Sequence, residues 1–275
     1  MKISILGCGW LGFPLAQKFI DTGYKVKGST TSENKLELLK SHKIEPYLIA
    51  LSEDKITGNI TEFLNDSEIL VIDIPPGLRK VTTTSSEKTF VNKIKTLLPF
   101  IENSTIEKVI FISSTSVYGD TDSIPTITEL SDLQPDTESG KQLVEVEHLL
   151  KANLCFQTVI IRFGGLIGED RNPIFMLAGK SNISNPDAPI NLIHQFDCIN
   201  IIGEIVKKSK LENLFNETFN AVFPYHPTRK EYYTKLALAN NLTVPIFTVQ
   251  QKPLGKIISS AKLQQVLPYT FKTSI

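Results

Sequence analysis

Short apolar runs alternate with longer amphipathic stretches from the first residues of the chain to beyond its middle. The apolar runs carry few polar side chains at alternate positions, which is typical of strands buried on both faces of a parallel sheet. The candidate strands are Lys2–Leu6, Tyr24–Gly28, Glu45–Ile49, Ile69–Ile72, Lys108–Ser113 and Thr158–Arg162. The candidate helices between them are Leu11–Asp21, Glu33–Lys40, Glu87–Ile101 and Gly140–Ala152. This alternation predicts an α/β fold with a doubly wound parallel sheet.

The rhythm changes after Arg162, where glycine and proline become frequent and the predicted elements become shorter. We therefore expect a first domain at residues 1–164 and a smaller C-terminal part at residues 165–275. Two helices are predicted in the C-terminal part. Asp197-Cys198 is the candidate cap of the first helix, which ends near Lys208. Thr228 is the candidate cap of the second helix, which runs from Arg229 to Asn240.

Charge and apolar patterning exclude several classes of partner. The 29 Lys and Arg residues balance 29 Asp and Glu residues, so the formal net charge is zero. Electrostatic binding to nucleic acid or to an anionic membrane needs a basic excess, so we expect neither partner. No apolar run approaches the ~20 residues that span a bilayer, and Ile3–Leu6 is far shorter than the apolar core of a secretory signal. We expect a cytoplasmic protein that binds a small molecule.

The cysteines and histidines are too dispersed to form a metal site. Cys8, Cys155 and Cys198 form no C-x-x-C pair and no disulfide framework. The histidines show no metal-binding spacing; they are His42, His148, His194 and His226. We predict no bound metal.

A glycine motif follows the first predicted strand directly. Gly7, Gly9 and Gly12 form G-x-G-x-x-G at the start of the first helix. The first glycine permits a tight turn, the second lets a pyrophosphate approach the backbone, and the third lets helix and strand pack closely. We expect Trp10 and Leu11 to open a helix whose N-terminus faces the phosphates, although the Trp10 ring also suits helix packing. The motif predicts dinucleotide binding; the alternative is a glycine-rich turn without a ligand.

The end of the second strand bears on which dinucleotide binds. A carboxylate there would bind the ribose diol of NAD and repel the 2′-phosphate of NADP. This strand instead leads into Thr30, Thr31 and Ser32, and Glu33 and Lys35 follow. Hydroxyls followed by a lysine favour NADP over NAD. The alternative is that Thr31 or Ser32 caps the next helix, which is compatible with either cofactor.

A second motif places hydroxyl side chains at the end of a buried strand. The segment Ile110–Gly119 reads IFISSTSVYG, and its serines and threonine come where ligands bind in open parallel sheets. The alternative is a serine-rich turn.

At these residues the sequence resembles the extended short-chain dehydrogenase/reductase family, in its NAD(P)-dependent epimerase/dehydratase branch. The resemblance covers nearly the whole chain and rests on four segments: Gly7–Gly12, Ser113–Gly119, Arg162–Gly168 followed by Arg171, and Asn191–Asp197. It implies a Rossmann-type fold, a small C-terminal α+β substrate lobe, and segments at about 190–222 that return to the first domain. It also implies a nicotinamide cofactor, a hydroxy- or keto-metabolite or a nucleotide sugar as substrate, and in many members a homodimer.

The resemblance also assigns individual residues. Ser114 matches the family's active-site Ser/Thr, which binds the reacting oxygen, and Lys141 matches the lysine that binds the nicotinamide ribose. Ser113, Ile74 and Pro75 are expected to line the cofactor groove.

Two candidate residues are expected to contact the substrate. Thr115 follows the active-site serine position in the second motif. Arg171 is a candidate anchor for an anionic group, because a guanidinium offers a bidentate fork. A surface ion pair is the alternative for Arg171.

The chain departs from the family at the catalytic tyrosine, because Thr137 stands four residues before Lys141. A threonine hydroxyl is a far weaker acid than a phenol, so it cannot take over proton transfer near neutrality without help. Tyr118 could supply the phenol, or Asp136 or Glu138 could donate a proton, although a structural tyrosine and solvated carboxylates are the alternatives. The sequence thus leaves two hypotheses: an NAD(P)-dependent oxidoreductase, epimerase or dehydratase, and a non-catalytic NAD(P)-binding sensor of the same fold.

Overall fold

Seven parallel strands form the central sheet of the computed structural model, which describes residues 1–77, 88–209, 214–248 and 252–275. The sheet strands, labelled in chain order with the shorter strands included in the count, are β1 Lys2–Leu6, β2 Lys25–Thr30, β3 Glu45–Leu48, β6 Ile69–Ile72, β7 Lys108–Ser114, β9 Gln157–Phe163 and β12 Thr218–Ala221. The shorter strands are β4 Ala50–Leu51, β5 Ile56–Thr57, β8 Thr126–Ile127, β10 Gly165–Ile167, β11 Leu192–His194 and β13 Ile257–Ile258. The Rossmann-type α/β fold is confirmed.

Helices cover the sheet on both faces. They are α1 Gly12–Asp21, α2 Leu36–Ser41, α3 Ile60–Leu64, α4 Thr89–Glu102, α5 Glu138–Lys151, α6 Ile174–Leu177, α7 Gln195–Lys207, α8 Arg229–Ala239 and α9 Ala261–Val266. A 3₁₀ turn at Glu33–Lys35 precedes α2, and another at Thr115–Val117 follows β7. Within the described part of the chain, no helix is long and apolar enough to cross a bilayer.

The strand order β12-β9-β7-β6-β1-β2-β3 puts the first strand inside the sheet. From β1 the chain builds outward through β2 and β3, then returns to the other side of β1 and builds outward again from β6. Successive connections therefore leave β1 and β6 in opposite directions. A crevice opens between the carboxyl ends of two such strands, and that is where ligands bind in open α/β sheets.

Strand side chains divide between two cores, which explains why the strands read as nearly continuous apolar runs. Ile3 and Ile5 of β1 pack under α1 and α7, whereas Leu6 packs under α4 and α5 on the other face. The polar Ser4 is also fully buried, where its hydroxyl donates to the Phe63 carbonyl oxygen at 2.6 Å. Burial on both faces is the expected environment of a parallel sheet.

The C-terminal residues form a smaller unit and also complete the main sheet. Strands β10 and β11 pair with each other, and the side chains around α6 and α8 form a third apolar cluster. Helix α7 packs on α1, and β12 pairs with β9 at the sheet edge. Near the C-terminus, β13 pairs with β8.

Most element bounds lie within two residues of their predicted positions, but two helix starts are wrong. Helix α2 begins at Leu36 and not at Glu33, because Glu33–Lys35 forms a 3₁₀ turn. Helix α7 begins at Gln195, and His194 rather than Asp197 is its cap: the His194 Nδ1 accepts a hydrogen bond from the Phe196 amide. The Asp197 carboxylate is buried and accepts from Tyr269 and Thr273 near the C-terminus. By contrast, the predicted cap Thr228 is confirmed, because it forms a capping box with Glu231.

Candidate functional site

The glycine motif forms a tight connection between β1 and α1. Gly7 has a φ of +108°, and a Cβ there would lie 2.3 Å from the Asp73 carbonyl oxygen. A Cβ at Gly12 would lie 2.1 Å from the Gly7 carbonyl oxygen. At Gly9, by contrast, a Cβ would meet no atom of the described residues within 4 Å. Gly7 and Gly12 are therefore required by the protein's own packing, whereas Gly9 leaves a bare backbone surface open.

Unpaired backbone amides lie beside this open surface. The Gly9 amide donates to the Gly7 carbonyl, and the Phe13 amide donates to Gly9. Between them, the amides of Trp10 and Leu11 donate no hydrogen bond to any residue that the structure describes. Free N–H groups at a helix N-terminus, together with the positive end of the helix dipole, are suited to bind a phosphate.

A cavity of about 310 Å³ extends from the glycine motif along the ends of β2 and β3 to α4. It is lined by Leu6, Gly7, Cys8, Gly9, Ser29, Thr30, Thr31, Ser32, Lys35, Ile49, Leu51, Asp73, Ile74, Pro75, Phe90 and Lys93. Most residues predicted to bind a cofactor therefore line one space. The exceptions are Trp10, Leu11, Gly12, Ser113 and Lys141.

Hydrogen bonds hold the β2 end of this cavity in place. The Gly7 amide donates to the Ser29 hydroxyl at 2.9 Å, and the Cys8 amide donates to the Ser29 carbonyl at 2.7 Å. The Ser32 amide donates to the Thr30 hydroxyl at 3.2 Å. Ser32 is the residue before the 3₁₀ turn, but its side chain makes no capping hydrogen bond. Helix capping therefore does not engage the Ser32 hydroxyl, which is available to a ligand.

Two weakly acidic groups lie at the glycine motif, where Cys8 is buried and Asp73 is half-buried. Burial raises the pKa of Asp73 to about 7, and a hydrogen bond from the Gly12 amide offsets part of that effect. Burial also raises the pKa of Cys8 to about 12, with a smaller contribution from the Asp73 charge. At neutral pH the Cys8 thiol is therefore protonated, and Asp73 is divided between its neutral and charged forms.

The second motif lies at the carboxyl end of β7, where α5 approaches it. A Cβ at Gly140 would lie 2.3 Å from the Ser116 carbonyl oxygen, so α5 starts in direct contact with the turn after Ser114. Ser114 is half-buried, and its hydroxyl accepts a hydrogen bond from the Ser116 amide at 3.1 Å. Thr115 is buried. Ser114 and Lys141 thus come to the same edge of the sheet.

The side chains of Lys141 and Thr137 differ in the hydrogen bonds that they make. The Lys141 side chain is exposed and makes no hydrogen bond or ion pair with a described residue. Thr137 is the N-cap of α5, and its hydroxyl accepts a hydrogen bond from the Gly140 amide at 3.1 Å. The Thr137 hydroxyl therefore has a structural role of its own as the cap of α5.

Tyr118 lies in a buried polar network rather than in the open crevice. It is 2% exposed, and its hydroxyl accepts from Arg162 at 2.5 Å and donates to the Asn220 side chain at 3.0 Å. Arg162 also pairs with Glu147 of α5, and the Ser113 hydroxyl donates to Glu147 at 2.6 Å. Burial raises the pKa of Tyr118, and Arg162 offsets part of that increase.

Two residues that were predicted to lie in the site, Ser113 and Tyr118, belong to this buried network. Ser113 and Tyr118 contact Glu147 and Arg162, not the lined cavity. Sequence reasoning missed Glu147 as a buried charge, because it occupies an apolar position of the α5 pattern. A glutamate in the apolar stripe of a helix is itself the available signal, because a buried carboxylate is usually paired with a cation. Arg162 on the neighbouring strand β9 is that cation.

Trp10 joins the glycine motif to the C-terminal part. Its indole N–H donates to Asp170 at 2.8 Å, and the Arg171 guanidinium lies 4.8 Å from its ring centroid. Gln195 donates to the Trp10 carbonyl at 2.6 Å. The Trp10 ring therefore packs against the segment after β10, while its amide remains available. Arg171 is exposed at this junction, so its charge is stacked on an aromatic ring and is still accessible.

No group of three or more potential metal ligands is found among the residues at 1–77, 88–209, 214–248 and 252–275. Apart from the Asp73 carboxylate and the Cys8 thiol, the polar groups near the crevice are hydroxyls, backbone amides and lysines. This set suits a phosphorylated, ribose-containing ligand better than a cation.

The strand order of the sheet shows that this chain is a Rossmann-type α/β protein with the fold of NAD-dependent epimerases and dehydratases. UDP-glucuronic acid 4-epimerase from Bacillus cereus, solved in complex with NAD, superposes with a TM-score of 0.81 at 18% identity, covering 100% of this chain and 92% of that one. UDP-glucose 4-epimerase from Dictyostelium discoideum is 28% identical over 193 residues, which are 61% of this chain and 55% of that protein.

The chain is also similar over most of its length to Protein YeeZ from Escherichia coli strain K12. It is 30% identical over 276 aligned positions, which cover 98% of this chain and 96% of that protein. The chain belongs to the family of Protein YeeZ. No family model matches it.

Proposed function

We propose that the protein is an NAD(P)-dependent enzyme of the oxidoreductase, epimerase or dehydratase type, acting on a small hydroxy- or keto-metabolite such as a nucleotide sugar. The observation that carries the proposal is the crevice: the open face of Gly9 lies beside the unpaired amides of Trp10 and Leu11. The fold shared with the Bacillus cereus enzyme solved with NAD supports the same cofactor class.

Each part of the crevice has a role in this proposal. The Trp10 and Leu11 amides hold the cofactor diphosphate at the N-terminus of α1, and Ile74 and Pro75 line the groove beside the adenosine. The hydroxyls Thr30, Thr31 and Ser32 face the adenosine ribose. Among the residues that the structure describes, no carboxylate lines that end of the cavity, which favours NADP over NAD.

At the other end, Lys141 binds the nicotinamide ribose and Ser114 donates a hydrogen bond to the reacting oxygen of the substrate. When bound, the nicotinamide supplies a carbon that exchanges hydride with a substrate carbon. Thr115 and Arg171 contact the substrate, with the Arg171 guanidinium binding an anionic group at the rim. The Tyr118 phenol takes no part in this proposal, because it is buried against Arg162.

A second function, a cofactor sensor without turnover, is favoured by one observation. Thr137 stands at the tyrosine position and uses its hydroxyl to cap α5. Among the alternative proton donors, Glu138 accepts a hydrogen bond from Gln142 and Asp136 accepts one from the Asp120 amide. Both carboxylates are thus held by structural hydrogen bonds.

Turnover separates the two functions. Ketones and nucleotide sugars are incubated with purified protein and NADPH or NAD(P)⁺, and reduced nicotinamide is followed by its absorbance, with product analysis for epimerisation. Turnover that Lys141→Ala abolishes supports the enzyme. Cofactor binding with no turnover of any substrate, in wild type and in Thr137→Tyr, supports the sensor. Turnover that is unchanged in Lys141→Ala contradicts the assigned role of Lys141.

A further inference from the structure

Two lysines from different elements line this same cavity. Lys35 closes the 3₁₀ turn after β2, and Lys93 lies in the second turn of α4. Neither side chain makes a hydrogen bond or ion pair with any residue within the described ranges. Sequence reasoning identified Lys35 but not Lys93, because α4 is distant from β2 along the chain.

No carboxylate of the residues that the structure describes pairs with either lysine. Asp73 is the carboxylate that lines the cavity, and it belongs to the glycine-motif end, where it accepts from the Gly12 amide. Glu53, near α4, does not line the cavity, and its carboxylate accepts from Asn92 at 3.2 Å. Two cations without a paired anion, beside one space, are a binding arrangement for an anionic ligand group.

The other walls of the cavity specify what carries that anion. Ile49, Leu51 and Phe90 provide an apolar surface suited to a flat base. Hydroxyls of the segment Ser29–Ser32 lie on the β2 side, where a ribose is held in folds of this type. A phosphate attached to that ribose would come between the β2 side and α4, within the space that Lys35 and Lys93 line.

We infer that Lys93 is a specificity-determining residue which, together with Lys35, binds the 2′-phosphate of NADP and selects it over NAD. The inference rests on the proposed function, because it concerns the cofactor of that same crevice. Lys93 reaches the phosphate from α4, so the selection does not depend on the β2 end alone. A dianionic phosphate gains charge-assisted hydrogen bonds from both ammonium groups, whereas the bare diol of NAD gains little from either.

The test compares dissociation constants for NADPH and NADH, measured by calorimetry at one fixed ionic strength. We expect wild-type protein to bind NADPH at least tenfold more tightly than NADH. Lys93→Ala and Lys35→Ala are each expected to weaken NADPH binding by about tenfold, as for loss of a charge-assisted contact. NADH binding is expected to change less than about twofold. Lys93→Arg, which keeps the charge, retains the preference for NADPH.

Lys95→Ala is the matched control, because Lys95 is an exposed lysine of the same helix that does not line the cavity. We expect it to leave both constants unchanged. Displacement by 2′-AMP and 5′-AMP gives a second readout that needs no nicotinamide: 2′-AMP binding is lost in Lys93→Ala and 5′-AMP binding is not. Circular dichroism confirms that each variant is folded.

The outcomes separate the inference from the function on which it rests. If NADPH and NADH bind wild type equally, or if Lys93→Ala weakens both by the same factor or neither, the selectivity role of Lys93 is overturned and the proposed function stands. If Lys95→Ala matches Lys93→Ala, the effect is general electrostatics and the inference also fails. If folded wild-type protein binds neither dinucleotide, the proposed function and the inference fail together.

Discussion

Gly9 and Gly12 are two glycines of one motif with opposite structural requirements. A side chain at Gly12 would collide with the backbone of Gly7, whereas a side chain at Gly9 would point into open space. Packing therefore accounts for Gly12, whereas the proposed ligand would account for Gly9. The proposed dinucleotide site predicts this contrast.

The two alanine variants are expected to fail in different ways. Gly9→Ala should leave the free energy of unfolding within about 0.5 kcal/mol of wild type and weaken NADPH binding on the order of tenfold, because its methyl group occupies the diphosphate approach. Gly12→Ala should lose at least about 1–3 kcal/mol of stability through overpacking. Urea denaturation and calorimetric titration measure both. Equal NADPH affinity in Gly9→Ala and wild type would mean that the motif is only a turn.

Asp73 gives the crevice a pH dependence. Its pKa of about 7 means that it is mostly neutral below pH 7 and charged above it. Because the folded-state pKa is raised above the unfolded value, Asp73 favours the folded state less as pH rises from about 4 to about 7. The charge also develops beneath the helix N-terminus that is proposed to hold a diphosphate.

We therefore expect the NADPH dissociation constant of wild type to increase between pH 6.5 and about 8.5, and to increase less in Asp73→Asn. Subtracting one profile from the other removes the titration of the cofactor itself. Calorimetry across this pH range measures both profiles. Parallel profiles for the two proteins would show that Asp73 does not titrate beside the bound diphosphate.

The cysteines differ in reactivity because they differ in burial. Cys155 is exposed, whereas Cys8 and Cys198 are buried and burial raises the pKa of both thiols. A thiol reagent at pH 8 should label Cys155 rapidly and the other two only on unfolding. Mass spectrometry of peptides at timed intervals measures this. Rapid labelling of Cys8 in native protein would contradict the packing of the glycine motif.

At the scale of elements, one buried ion pair fixes the helix that carries Lys141. Glu147 of α5 and Arg162 of β9 are almost fully buried and pair at 2.5 Å. The Ser113 hydroxyl of β7 also donates to Glu147, so the network joins three elements. The network holds α5 against the strand that ends at Ser114, so its role in the proposed function would be to position α5.

Removing one partner of this pair should cost far more than removing a surface charge. Glu147→Ala leaves Arg162 buried and unpaired, with an expected loss of about 3–5 kcal/mol in the free energy of unfolding. The control is Glu145→Ala, which breaks an exposed pair with Lys88 on the same helix and should cost at most about 1 kcal/mol. Urea denaturation measures both. A similar loss for the two variants would contradict the assigned burial of the pair.

The sequence predicted elements best where local patterning and burial agree. Strand β1 was predicted with its exact bounds, because an unbroken apolar run leads straight into the glycine motif. Strand β12 was missed: its residues read Thr-Phe-Asn-Ala, and it joins the sheet only by pairing with β9. Lys93 was missed for the same reason, since its place in the crevice depends on how α4 packs beside β2. Contacts between distant segments leave no periodic signal.

At the scale of the whole molecule, Trp10 connects the two parts that a cofactor and a substrate would occupy. Its amide lies at the proposed diphosphate site, and its ring contacts Asp170 and Arg171 of the C-terminal part. It is also the only tryptophan in the sequence. Tryptophan fluorescence of this protein therefore reports on one place, the junction between the glycine motif and the segment after β10.

Titration of wild-type protein with NADPH and then with NADH, followed by Trp10 emission and by calorimetry, is the decisive measurement. We expect saturable quenching of Trp10 with one binding site per chain, a micromolar dissociation constant for NADPH, and weaker binding of NADH. Folded protein that binds neither dinucleotide, with Trp10 emission unchanged up to millimolar concentrations, would contradict the proposal that this crevice is a dinucleotide site.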